Sequence, residues 1–215
     1  MKTTFDSIVL GIHNFPYFAI LFTLPIFAIT TIKHKSFNLV RVLLQYALLL
    51  YSLCLVAVVL FPLPTLAQAA TLHTHDLQII PFHFVVDIVK ESPLVINEPA
   101  TYVKTICNRA VLQVVFNILM TIPFGMFLRY YFGYDKKKVV VASMLLSLAI
   151  EVTQLTGIFG IYHGSYRLCD IDDLMMNTLG GFVGYRFIVA VETYIPSIYA
   201  FDRRRKTVKK GYVKA

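Results

Sequence analysis

The sequence is poor in charge. Only 15% of its 215 residues are charged and 57% are hydrophobic, a balance that excludes a soluble domain of this length. Cysteine is scarce as well. Three cysteines cannot build a disulfide framework, although a single Cys107–Cys169 bond is geometrically possible in the topology below. Cys54 reads as a packing residue inside a helix. No nucleotide-binding, redox or cofactor motif is present, so no cofactor is expected. No linker parts two domains, and no segment repeats. The lack of an inverted repeat counts against a transporter built from two related halves. The first apolar segment lacks a small-x-small cleavage site and is too long for a signal-peptide core.

What the sequence does have is long apolar runs. A membrane-spanning helix needs about 20 apolar residues. Residues 12–32, 42–62, 111–128, 139–159 and 174–195 meet or nearly meet that length. They predict an all-α membrane protein, a bundle of about five transmembrane helices that crosses the cell membrane several times.

Orientation follows from the cations. One link carries Lys33, Lys35 and Arg41, and a second carries Arg129, Lys136, Lys137 and Lys138. The tail carries Arg203, Arg204, Arg205, Lys206, Lys209, Lys210 and Lys214. Five spans put all three on one side, which the positive-inside rule makes the cytoplasm. The N-terminus, the loop 63–110 and the loop 160–173 then lie outside, and the C-terminus is cytoplasmic. The net charge of +8 is therefore a topology signal and a contact for anionic membrane lipids, not a nucleic-acid site. Oligomeric state is left open.

The long outer loop is broken by prolines in FPLP, IIPF and ESPL. Its run PFHFVVDIV mixes aromatic and apolar residues, as segments lying along a membrane interface do. HTHD (His73–Asp76) has the spacing of two metal ligands, but a lone H-x-H in a loop assigns no metal.

Polar groups inside a bilayer are costly and mark function by default. Glu151 lies about 18 Å up the fourth span from its basic end, with Gln154 on the same face. Asn117 in the third span, Asn177 in the fifth, and Asp170, Asp172, Asp173 and Arg167 just before it map to the same outer layer. Together they predict a polar pocket with an acidic rim. Some of this has a purely structural explanation. Asp170 or Asp172 can cap the fifth helix, and Glu151 can pair with Arg167 or Arg109, or be held neutral by desolvation. Gly180 and Gly184 form a small-xxx-small face. With Pro123 and Gly125 in the third span, that face is expected to shape a cleft.

Four blocks in order, IIPF, NILMTIPFG, SLAIEVTQ and RLCDIDDLMMNTLGGFVG, resemble the VanZ-like family. The resemblance covers roughly residues 45–190. It divides the chain into an N-terminal helix with a basic link (1–41), a VanZ-like membrane domain (42–195) and a basic tail (196–215). The family's motif positions fall on Asn117, Pro123, Gly125, Glu151, Gln154, Arg167, Asp170, Asp173, Asn177, Gly180 and Gly184. The resemblance implies a role in lowered susceptibility of Gram-positive cells to teicoplanin, a glycopeptide with a fatty tail.

Three readings stay open. In the first, the acidic, amide-lined pocket binds an amphiphile, a lipidated antibiotic, a cationic peptide or a cell-wall lipid, with Phe82 and Phe84 over its tail. In the second, the protein is an enzyme acting on a lipid-linked substrate, with Glu151 as general base and Asp170 or Asp173 as its partner. No serine, cysteine or histidine is convincingly placed beside these carboxylates as a nucleophile, which counts against acyl transfer. In the third, Glu151 is the proton site of a small transporter.

Overall fold

The computed structural model describes residues 2–34, 38–72 and 76–201. The HTHD histidines, Lys35 and the basic tail lie outside the described residues. Five helices are long and apolar enough to cross a membrane: α1 (Lys2–His34), α2 (Leu39–Leu60), α6 (Arg109–Tyr130), α7 (Lys136–Leu155) and α9 (Ile171–Val191). Between α2 and α6 lie α3 (Leu66–Ala69), β1 (Leu77–Gln78), α4 (His83–Glu91) and α5 (Ala100–Ile106). Between α7 and α9 lie the short turn α8 (Gly157–Gly160) and β2 (Cys169–Asp170). The protein is thus an all-α, multi-pass membrane protein with almost no strand.

The helix ends differ from the apolar segments for local reasons. The fourth apolar run continues to residue 159, yet α7 stops at Leu155. Gly157, Ile158 and Phe159 all take positive φ, so the backbone turns while the hydrophobicity continues. The fifth helix starts at Ile171 rather than at the first leucine. Asp170 caps it, its Oδ1 accepting from the Asp172 N–H at 2.9 Å. Hydropathy marks where apolar side chains begin, whereas a helix begins at its cap. Asp172 and Asp173 therefore sit in the first turn of α9, where negative charge suits the helix dipole.

The chain forms two compact units. One comprises residues 1–61, 130–132 and 189–215, and the other residues 62–129 and 133–188. In the first, α1 packs on α2, and a Cβ at Gly11 would stand 2.8 Å from the Cys54 Cα. Asn38 caps α2 by accepting from the Arg41 N–H at 3.1 Å, and its side chain donates to the Ile198 carbonyl at 3.1 Å. Arg41, counted above among the topology cations, is buried at 1% exposure with its guanidinium 4.9 Å from the Tyr199 ring centre.

The second unit contains α6, α7 and α9. Its close packing comes from glycine. A Cβ on Gly180 would collide with the Ile118 carbonyl and the Thr121 hydroxyl, and one on Gly184 with the Ile122 carbonyl. Gly125 likewise meets the Gly181 carbonyl, and Gly181 meets the Ser143 side chain. α6 and α9 thus touch backbone to backbone, and α7 meets α9 through the small Ser143 side chain. The glycines thus line a contact and not the cleft expected of them, and Pro123 lies within an unbroken α6.

A polar column beneath an acidic crevice

Every long helix of the second unit brings polar groups to one end of that unit, where α6 and α9 begin and α7 finishes. On α7 the buried residues are Val139, Ser143, Ser147, Glu151 and Gln154. Their spacing of four, four, four and three residues is one helical face. Glu151 lies about 6 Å along the axis from the end of α7 and is 4% exposed. It accepts from the Asp170 N–H at 3.0 Å. Its other hydrogen-bond partner is the Cys169 thiol.

Below Glu151 the column continues through small polar groups. Asn177 donates to the Ser147 hydroxyl at 2.9 Å, and Thr121 donates to the Asn177 carbonyl at 2.7 Å. Because α9 starts early, Asn177 is about 9 Å along it rather than in its first turn. Asn177 Oδ1 and Ser143 Oγ are buried without a protein partner. The column ends at Val139, which is fully buried. Sequence reading passed over Ser143, Ser147 and Thr121. The four-residue spacing Ser143–Ser147–Glu151 was the available signal.

Above the column lies a separate feature, a small open crevice of about 30 Å³. Its walls are Asp87 and Phe84 of α4, Ala110, Gln113 and Val114 of α6, and Asp170, Asp172, Asp173 and Met176. Asp173 accepts from Gln113 at 3.2 Å and from the Asn117 amide. Asp172 faces the other way in function. It is 2% exposed, and its carboxylate accepts from the backbone N–H of Phe82 at 2.6 Å and of Phe84 at 2.9 Å. It therefore caps α4 across a sequence distance of 90 residues. It also holds Phe82 in the left-handed region, at φ 64.

The outer loop is fixed at this end a second time. β1 pairs in parallel with β2, Leu77 opposite Cys169 and Gln78 opposite Asp170. On α4, His83 Nδ1 lies 3.1 Å from Asp87 Oδ2. A histidine and a cysteine thus stand beside the carboxylates, His83 four residues from Asp87 and Cys169 next to Asp170 in sequence. Phe82 and Phe84 come together with ring centres 6.3 Å apart, Phe84 on the crevice wall and Phe82 exposed.

The residues predicted as one pocket therefore fall into two layers. Asp170 and Asp173 line the crevice, and Asn117 reaches it through Asp173. Glu151, Gln154 and Asn177 are buried and are not on its lining. Arg167 is half-buried in the loop before β2. Cys107 and Cys169 are both free, so no disulfide joins them. Among the described residues no group of three or more histidines, cysteines and carboxylates is arranged to hold a metal.

Burial raises the Asp170 carboxyl above its ordinary range. The charges of Asp172 and Asp87 push the same way, and the Asp172 N–H and His83 oppose them. Burial, followed by the charge of Glu151, pushes the Cys169 thiol up to about 11.

A multi-pass helical bundle with carboxylates and amides converging inside one end defines the class of membrane protein to which the chain is compared. The chain belongs to the VanZ/LLP1 family, whose model matches residues 48–192. No curated protein and no solved structure matches it.

Proposed function

We propose that the acidic crevice lies on the outer face of the cell membrane and binds the cationic or hydroxyl-bearing head of an amphiphile. Through it the protein would lower susceptibility to lipidated glycopeptides of the teicoplanin kind. One observation carries the reading. Four carboxylates, Asp87, Asp170, Asp172 and Asp173, surround an open crevice that has no lysine or arginine on its walls. A cation is the natural complement of that field, and partial desolvation strengthens the attraction. Phe84, Val114 and Met176 supply apolar wall for the start of a tail. The outward orientation rests on Arg129, Lys136, Lys137 and Lys138 at the opposite end of the same unit.

Burial of Glu151 beneath the crevice does not favour it as a general base. A catalytic reading moves instead to His83, which contacts Asp87 of the crevice wall as an imidazole contacts an orienting carboxylate. The polar column stops at Val139 within the first turn of α7, which does not favour a proton path across the membrane.

The test is drug susceptibility in a glycopeptide-sensitive Gram-positive host. It compares wild type with Asp173→Asn and Asp87→Asn at matched membrane abundance. Protection against teicoplanin but not vancomycin, lost in both variants, supports the crevice. Equal protection by wild type and variants removes it. Mass spectrometry of the host lipids separates binding, which leaves them unchanged, from turnover at His83.

A further inference from the structure

The two helices of the loop at the acidic end are inside out. On α4 the half-buried residues are His83, Phe84, Asp87 and Ile88, and the first four outward residues are Phe82, Val85, Val86 and Val89. The side carrying the His83–Asp87 contact is half-buried, its side chains 36% and 42% exposed, while the outward side has no polar side chain until Lys90. Val89 is 70% exposed. On α5 the inward residues are Thr101 and Thr105, whose hydroxyls donate to backbone carbonyls. The outward ones are Ala100, Tyr102, Val103, Lys104 and Ile106, apolar or aromatic except for Lys104, whose long stem can carry its ammonium to the headgroups, with Val103 at 68% exposure. Ile79, Ile80, Leu94, Val95 and Ile96 are exposed between and beside them.

In water this polarity is the wrong way round, because a surface helix turns its apolar stripe to the core. In a membrane it is the favoured arrangement. Two anchors fix the depth of α4. The Asp172 carboxylate in the first turn of the α9 span holds its N-terminus, and β1 is paired to the strand leading into that span. The apolar surface also continues into a span, since α6 starts three residues after α5 ends and exposes Val115, Phe116 and Leu119.

We infer that α4 and α5 lie in the border of the adjoining lipid leaflet, their outward valines, isoleucine and aromatic side chains against acyl chains. α4 is then the partition between the acidic crevice and the lipid. The occupant of this face is lipid, not a protein partner. This placement rests on the polarity of the two helices and does not depend on what the crevice binds.

The chain contains no tryptophan, so a single introduced one is an unmixed reporter. Val89→Trp, Val103→Trp and, as a reference within a span, Leu119→Trp are each placed in the full-length protein. The proteins are reconstituted in phosphatidylcholine–phosphatidylglycerol vesicles. Quenching is read with phospholipids brominated near the glycerol end of the chain, and separately with iodide on both sides. The expected result is loss of emission to bromolipid at 89 and 103 comparable to that at 119, with little loss to iodide. Strong iodide quenching without bromolipid quenching would place the helices in water and overturn the inference. Protection from both quenchers would mean that protein covers this face, and would overturn it equally. Both sites are largely exposed, so the added ring displaces no core, and either variant alone gives the reading.

Discussion

Replacing Asp172 by asparagine should unlatch α4 while leaving the three packed spans of its unit in place. The Asp172 carboxylate accepts two backbone N–H groups, from Phe82 and Phe84. Hydrogen bonds to a charged acceptor contribute roughly 1.5–3 kcal/mol each. Asparagine keeps one acceptor and presents its own N–H₂ to the second donor, so one bond is lost and one half-buried N–H faces another donor. Phe82 is also in the left-handed region, a conformation that costs on the order of 1 kcal/mol for a side chain of this size and is released when α4 opens. The attachment should weaken by about 2–4 kcal/mol, which raises local opening roughly 30- to 1,000-fold. Hydrogen–deuterium exchange read by mass spectrometry should show faster exchange over residues 82–91. Residues 139–155 of α7, whose contacts are untouched, serve as reference. Unchanged exchange at 82–91 would refute the latch. Equal acceleration in α7 would show that Asp172 supports the whole unit rather than one helix.

Further consequences are open to simple measurements. Gly180→Ala drives a Cβ into the Ile118 carbonyl and the Thr121 hydroxyl. It should cost about 1–3 kcal/mol as overpacking, seen as a lower thermal midpoint in detergent, and an unchanged midpoint would mean that α6 and α9 are looser than described. Cys169, with its thiol pushed up to about 11, should react far more slowly with maleimide at pH 8 than exposed Cys107. Glu151→Gln removes a charge that raises that thiol, so Cys169 labelling should speed up. An unchanged rate would mean that Glu151 does not act on it. Asp170 has its folded-state carboxyl raised above the unfolded value. Its contribution to stability is therefore full at low pH and is lost as pH rises through the raised value. Asp170→Asn keeps a good cap and should remove that loss, giving equal or higher stability at neutral pH. A clear drop there would mean that the charged form is the one the fold favours.

Some of the site was legible because the signal was local. Three aspartates within four residues, a glutamate deep in an apolar run and glycines four apart can all be read from a single helix. Asp172 was legible as a charge but not as the cap of a helix 90 residues away. The pocket itself was misjudged. Position along a helix does not tell which groups open to a crevice and which pack against a neighbour.

The sequence by itself determined that this is a membrane protein with five long apolar helices, because transfer into lipid depends mainly on composition summed over a span. It also determined that the polar residues cluster toward one end, because rise per residue converts position into depth. Only the tertiary structure decided that Glu151 meets the Asp170 N–H and the Cys169 thiol, that Asn177 meets Ser147, and that His83 and Asp87 stand by the crevice. Those meetings depend on how each helix is rotated about its axis and on where a long loop returns. Both are set by backbone contacts through Gly125, Gly180, Gly181 and Gly184 and by a two-residue strand pairing, none of which hydropathy records.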